Sequence, residues 1–238
     1  MSATANDRSG TVLGVNGPVV RARAARTLGM SELVWIGGER LAGEIIGLLE
    51  DVATIQVYED TTGVTPGDPV TGSGLPLHLE LGPGLLGRIF DGIQRPLEAL
   101  AASTGDFIRR GASAEPLDRH RQWTFTPTLA AGAQVQGGEI LGTVPETASI
   151  EHRVLVPPDI CCGTLTWVAE AGTYTLEDPV AFVECGGQTR ELRLFHRWPV
   201  RQGRPFRKRW PPAMPLLTGQ RGRRPPALNR SGMVYPWA

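Results

Sequence analysis

From Thr11 onward the chain alternates short apolar runs with turn residues. Val12-Leu13-Gly14-Val15 and Val19-Val20-Arg21-Ala22 are separated by Asn16-Gly17-Pro18, and Asn-Gly between two such runs is a strong hairpin signal. Leu33-Val34-Trp35-Ile36 follows, then a turn at Gly37-Gly38-Glu39-Arg40 and a longer apolar strand from Leu41 to Leu49. Asp51 turns the chain into Val52–Tyr58, where Ala53, Ile55 and Val57 alternate with Thr54, Gln56 and Tyr58. Thr61 to Pro69 reads as a loop between late strands. About six short strands this close together predict a small closed barrel over 11–76, because closure is how so small a sheet removes its unpaired edges.

The period then changes. On a wheel of about 100° per residue, Leu85, Leu86, Ile89, Phe90, Ile93 and Leu97 fill one arc, while Arg88, Asp91, Gln94 and Arg95 fill the other. This predicts a short amphipathic hinge helix within a linker over 77–110. Gly82-Pro83-Gly84 supplies the turn before it; Pro96, with no N–H, ends it or restarts it as a first-turn proline, leading into a brief helical segment up to Ala102. After Arg110 strands return at Trp123–Thr126, Gln134-Val135, Glu139–Val144, His152–Val156, Gly163–Ala169 and Val180–Glu184. They predict a second β-rich module over 111–190. Gln134 to Val144 resembles the half-barrel sandwich of lipoyl and biotinyl carriers, which need a lysine at a hairpin tip. The chain's single lysine is Lys208, outside the module, so the sandwich shape is retained and the carrier chemistry is excluded. The fold class expected is therefore mainly β: a six-stranded barrel, a short hinge helix, a barrel-sandwich-like module and an irregular basic tail.

Three stretches carry a family resemblance: Tyr58-Glu59-Asp60-Thr61-Thr62-Gly63, the run from Gly82 to Leu97, and Trp198-Pro199-Val200-Arg201. Together they resemble the catalytic A subunit of the V/A-type rotary proton-translocating ATPases, from about Thr11 to about Arg221. The resemblance implies that the barrel joins B subunits in a hexameric ring. It also implies that the second module is the insertion distinguishing A from B subunits and meets the peripheral stalk. The family uses Mg-ATP, but its nucleotide-binding core lies beyond this stretch, so the chain reads as a non-catalytic front, peripheral on the cytoplasmic face of a membrane. Residues 191–221 match the entry into that core and end in Thr218-Gly219-Gln220-Arg221. Residues 222–238 depart from it and have no apolar periodicity, so they are expected to be a disordered tail, as are residues 1–10. So abrupt a change is what a truncation or frameshift before the P-loop produces.

Composition sharpens this at a few points. Formal charge sums to zero, with 24 basic and 24 acidic residues, yet between Arg190 and Arg230 Glu191 is the one acid among many arginines. No run approaches the about 18 apolar residues of a membrane span, so no direct membrane contact is expected. Cys161, Cys162 and Cys185 form no C-x-x-C pair, and a disulfide framework or zinc site is not expected. Lys208 lies in Phe206-Arg207-Lys208-Arg209, without the glycines or the Ser/Thr of a phosphate-binding G-x-x-x-x-G-K-[ST] loop. His78, His120, His152 and His196 have no metal-ligand spacing. Glu50-Asp51 and Glu59-Asp60 read as solvated turn carboxylates, since neighbouring side chains point apart, and Ser31 and Ser73 lack a nucleophile context. No catalytic, cofactor-binding or metal-binding residue is assigned, and the chain alone is expected to be catalytically inactive. The alternative is a basic β-rich nucleic-acid-binding protein, in which Arg201 to Arg209 follow a backbone and Trp198, Phe206 and Trp210 stack on bases. On the favoured reading no nucleic acid is bound.

Overall fold

The computed structural model describes residues 8–24, 28–105, 107–203 and 208. Six antiparallel strands, β1 (Ser9–Asn16), β2 (Val19–Ala24), β3 (Glu32–Ile36), β4 (Leu41–Leu49), β5 (Val52–Val57) and β6 (Pro69–Pro76), close in the order β1-β2-β5-β4-β3-β6. The alternation read from the sequence sets the two faces of the wall. Ala53, Ile55 and Val57 point inward, as do Val34 and Ile36 on β3, and they pack with Val12, Val20, Ile45 and Val70. Ala22 sits opposite Ala53, two small side chains fully buried in the barrel core. Register shifts in β1, β3 and β4 supply the local bends that let so short a sheet close. Gly17-Pro18 makes the first hairpin turn, closed by the pair Asn16↔Val19, so the turn falls one residue later than the Asn-Gly signal; Gly17 takes the positive φ of 55° that such turns require. β1 begins at Ser9, inside the stretch expected as a tail; residues 1–7 lie outside the described residues, as do 222–238.

The helix expected over Leu85–Leu97, behind the Gly82-Pro83-Gly84 turn, is not formed. That stretch is a series of turns closed by a bridge between Phe90 and Pro96. Two glycines within it, at 87 and 92, weaken any helix, and Gly87 takes a φ of 76° that no helix contains. Asp91 reinforces the turns: its carboxylate accepts the N–H groups of Ile93 and Arg95, at 3.1 and 2.8 Å, and the Arg95 Nε at 2.6 Å. Ile89, placed on the apolar arc of the wheel, is 66% exposed. The short helix between the two β bodies is α1 (Leu97–Thr104), which starts directly after Pro96, buries Leu100 and ends at Gly105. Pro96 itself is the N-cap, in extended conformation, one residue ahead of the first-turn position expected for it.

The second body is a sandwich of two four-stranded sheets. One has the order β11-β10-β8-β13, from β8 (Trp123–Pro127), β10 (Ile140–Pro145), β11 (Glu151–Leu155) and β13 (Gly172–Tyr174). The other has the order β15-β14-β12-β9, from β9 (Gln134–Val135), β12 (Gly163–Val168), β14 (Pro179–Cys185) and β15 (Gln188–Arg193). Phe125, Leu141, Val144, Leu165, Val183 and Leu192 fill the space between them. β13 and β15 are additions to the strands expected from sequence. A separate two-stranded ribbon pairs β7 (His78–Leu81) with β16 (His196–Pro199), joining the segment that leaves the barrel to the segment that leaves the sandwich.

Candidate functional site

The Tyr58–Gly63 stretch is where the barrel, the linker and the exit from the sandwich meet. Tyr58, Glu59, Thr61 and Thr62 each bond a part of the chain outside the stretch. Tyr58 donates its hydroxyl to Glu44 on β4, at 2.5 Å. Glu59 is part-buried, its side chain 9% exposed: it accepts the Gly111 N–H at 2.8 Å and lies 3.4 Å from Arg95, whose guanidinium also donates to the Ala112 carbonyl at 2.7 Å. Asp60 stays at the surface and closes an Asx turn, accepting from the Thr62 N–H and hydroxyl at 3.0 and 2.8 Å. Thr61 donates to the Gly17 carbonyl at 2.7 Å, and Arg110 donates to the carbonyls of Asp60 and Thr62 while pairing with Glu39 at 2.8 Å. Consecutive carboxylates do point apart here. One of them, Glu59, points into the seam rather than into solvent, which corrects its reading as a solvated turn residue.

Two further clusters continue the seam. Arg201, just past β16, grips Glu44 with Nε at 2.8 Å and Nη2 at 2.7 Å. Glu80 on β7 is buried and paired with Arg119 and, at 3.2 Å, with Arg197; the Arg119 guanidinium also stacks 4.4 Å from the Phe195 ring. Gln94 acts as a missing strand: its side-chain amide exchanges hydrogen bonds of 2.8 and 2.7 Å with the backbone of Glu80. On the sandwich side, Glu146 accepts the N–H groups of Gly84 and Leu86, at 2.7 and 3.1 Å, so it caps the linker turns. A cavity of about 210 Å³ lies in the seam, lined by Trp35 and Ala42 from the outer barrel wall and by Glu59, Arg95 and Ala112.

The electrostatics follow these contacts. Hydrogen bonding to Arg201 holds the Glu44 carboxyl below its usual range, against the opposing effect of burial. Burial, then Glu44, pushes the Tyr58 phenol up to about 12, and Glu44 raises Arg201 further above its ordinary value. The Thr62 hydrogen bonds lower Asp60. Burial lowers the His152 imidazole although Glu146 lies 3.8 Å away and opposes the shift.

The other residues weighed from the sequence are scattered. His78 sits on the β7–β16 ribbon, His120 is exposed, His152 faces Glu146 and His196 lies on β16. Among the described residues no group of three or more His, Cys, Asp or Glu is placed to hold a metal ion. Cys161 and Cys162 are exposed, Cys185 is partly buried, and all three are free thiols. Glu50 and Asp51 form the exposed β4–β5 turn, with Asp51 3.3 Å from Arg23. Ser73 hydrogen-bonds to its own turn, and Ser31 takes a φ of 62°. Arg197 and Arg201, at the start of the basic run, are spent on Glu80 and Glu44; Phe206, Arg207, Arg209 and Trp210 lie outside the described residues. Sequence reasoning passes over Glu44, Arg95 and Arg119. An acid inside the apolar run Leu41–Leu49 is the available signal for Glu44.

A barrel followed by a barrel-sandwich, joined through such a seam, can be compared with known families. Residues 12–74 match the family described as "ATP synthase alpha/beta family, beta-barrel domain", and residues 114–201 match "ATPsynthase alpha/beta subunit barrel-sandwich domain". The chain belongs to the ATP synthase alpha/beta family. It is 51% identical over 215 residues to the A subunit of the A-type ATP synthase of Hyperthermus butylicus, covering 89% of this chain and 36% of that relative. It is also 51% identical over 213 residues to the corresponding A-type ATP synthase chain of Thermococcus onnurineus, with the same coverage. Against the V-type ATP synthase alpha chain of Halothermothrix orenii it is 49% identical over 216 residues, covering 90% of this chain and 36% of the relative. The chain spans little more than a third of the length of these ATP synthase relatives. The two matched segments leave residues 75–113 between them, and that interval supplies Glu80, Gln94, Arg95 and Gly111 to the seam.

Proposed function

We propose that this chain serves as the assembly portion of an ATP synthase A subunit. The barrel, residues 11–76, joins neighbouring B subunits in a ring, and the sandwich, residues 111–190, is the insertion that meets the peripheral stalk. Catalysis on Mg-ATP and proton coupling belong to the larger complex, of which this chain is a peripheral part on the cytoplasmic face of the membrane. Among the described residues no helix is long and apolar enough to cross a membrane. The observation that carries this reading is the match of barrel and barrel-sandwich, in that order, to one family. The surface of the barrel adds to it. A closed barrel has no edge to offer a partner, yet Ile46, Leu48 and Leu49 stand exposed at the β4–β5 hairpin, Leu49 at 76%. Apolar side chains grouped at one hairpin are what an inter-chain contact uses.

The test is native mass spectrometry of the chain mixed with B subunits of the Hyperthermus butylicus enzyme. Complexes containing both chains are expected, and Leu49→Glu is expected to weaken them by about tenfold or more, since a charge replaces a central apolar contact. A mixture that stays dissociated, or a Leu49→Glu chain that assembles as well as the parent, would overturn the reading.

A further inference from the structure

Glu44 occupies an unusual position in the barrel wall. Its register partners are Leu33 on β3 and Gln56 on β5, in the row that faces outward, while the adjacent Ile45 and Ile55 face the core. An outward carboxylate on a small barrel is ordinarily hydrated. Glu44 is only 1% exposed, and the groups that hydrogen-bond its carboxylate are Tyr58 and Arg201. The two carboxylate oxygens receive a forked guanidinium, Nε on one and Nη2 on the other, and the Tyr58 hydroxyl takes a remaining lone pair. This is the geometry that suits arginine and not lysine, because two parallel N–H donors in one plane meet two oxygens in one plane. Arg201 itself is 60% exposed. The buried partner therefore belongs to the barrel, and the movable one belongs to the chain's exit, 157 residues later.

We infer that Glu44 and Tyr58 form a guanidinium-receiving site on the outer barrel wall, and that Arg201 fills it as a latch fixing the chain that leaves β16 against the barrel. Neighbouring contacts lead toward this end: Val200 N–H donates to the Leu77 carbonyl at 2.9 Å, and β16 pairs with β7 along its length. The ribbon alone has two strands, and an isolated two-stranded ribbon is marginal in water. Opening the latch strands a carboxylate in a covered position, so the charge pair couples the ribbon's order to the barrel. This holds whether or not the chain assembles with other subunits.

The experiment is hydrogen exchange on the full chain, read at the amides of the β7–β16 ribbon and, as an internal reference, at Val20 and Ile55 in the barrel wall. Arg201→Ala is expected to speed ribbon exchange by at least about tenfold. Millimolar methylguanidinium should restore protection, while methylammonium at the same concentration should not, because only the first presents the fork. Arg201→Lys should behave nearly as Arg201→Ala does. Ribbon exchange unchanged within a factor of about two, or equal rescue by both cations, would overturn the latch. Should Arg201→Ala fail to fold, the double variant Glu44→Gln with Arg201→Ala removes the buried charge along with its partner and is expected to fold. Its failure as well would mean that the two residues matter for something other than their pairing, which also overturns the proposal.

Discussion

Gly111 shows how closely the linker is drawn onto the barrel. Its φ is 67°, its N–H is bound by Glu59, and a methyl group added there would lie 1.8 Å from the Glu39 carbonyl oxygen. Gly87 has a similar φ of 76° but open space around it. Gly87→Ala is therefore expected to cost about 1 kcal/mol for the backbone conformation alone. Gly111→Ala should cost roughly 1–3 kcal/mol more, because backbone must move to admit the methyl. Urea unfolding of both variants checks this, and equal losses would show that the close approach does not hold in solution. His152 gives a second test at this scale. Its folded pKa is lowered, chiefly by burial, so the unfolded chain binds the proton more readily. Stability is then complete above the unfolded value of about 6.5 and falls as pH drops through the window between it and the lowered folded value. His152→Gln should flatten that slope; identical pH profiles for the two chains would mean the imidazole is not held neutral.

At the scale of elements, the barrel is legible in the sequence because its signal is local. Ala53, Ile55 and Val57 alternate with polar partners, and burial follows the same alternation. The helix over Leu85–Leu97 fails because a wheel records where apolar residues fall and ignores the backbone cost of Gly87 and Gly92 and the pull of the Asp91 carboxylate. This yields a sharp contrast. Ile89→Asp, disruptive had the wheel held, is expected to change stability by no more than about 0.5 kcal/mol, as for an ordinary surface site. Leu100→Ala, in the helix that does form, should cost about 2–5 kcal/mol. Thermal or urea denaturation ranks them, and the reverse order would restore the amphipathic helix. β15 escapes the pattern because Gln188–Arg193 is an edge strand carrying charges, which protects the edge and hides the period. The β7–β16 ribbon escapes for another reason: each strand is four residues long, and the pairing Arg197↔Glu80 spans 117 residues.

Across the whole molecule, the motifs that carry the family resemblance are the ones that hold its parts together. Tyr58 and Arg201 converge on Glu44, and Glu59 meets Gly111 and Arg95. Their residue types are legible in the sequence, but their convergence is not, since it depends on closure of the barrel and on the long return of the chain. The pairing of these arginines also bears on nucleotides. Phosphate binding of the P-loop kind needs a glycine loop and a lysine, and no G-x-x-x-x-G-K-[ST] run occurs in the 238 residues. The arginines that could substitute as bulk positive charge at the seam are taken: Arg95 by Glu59 and Asp91, Arg119 and Arg197 by Glu80, Arg201 by Glu44. Attraction from the remaining exposed arginines is unspecific and screened at about 0.15 M salt, where the Debye length is about 8 Å. Calorimetric titration with Mg·ATP at that ionic strength is therefore expected to give no saturable heat, and a phosphate-release assay no turnover. Micromolar saturable binding, or turnover lost on a single substitution in this chain, would place a nucleotide site within it and break the assignment of these residues to assembly alone.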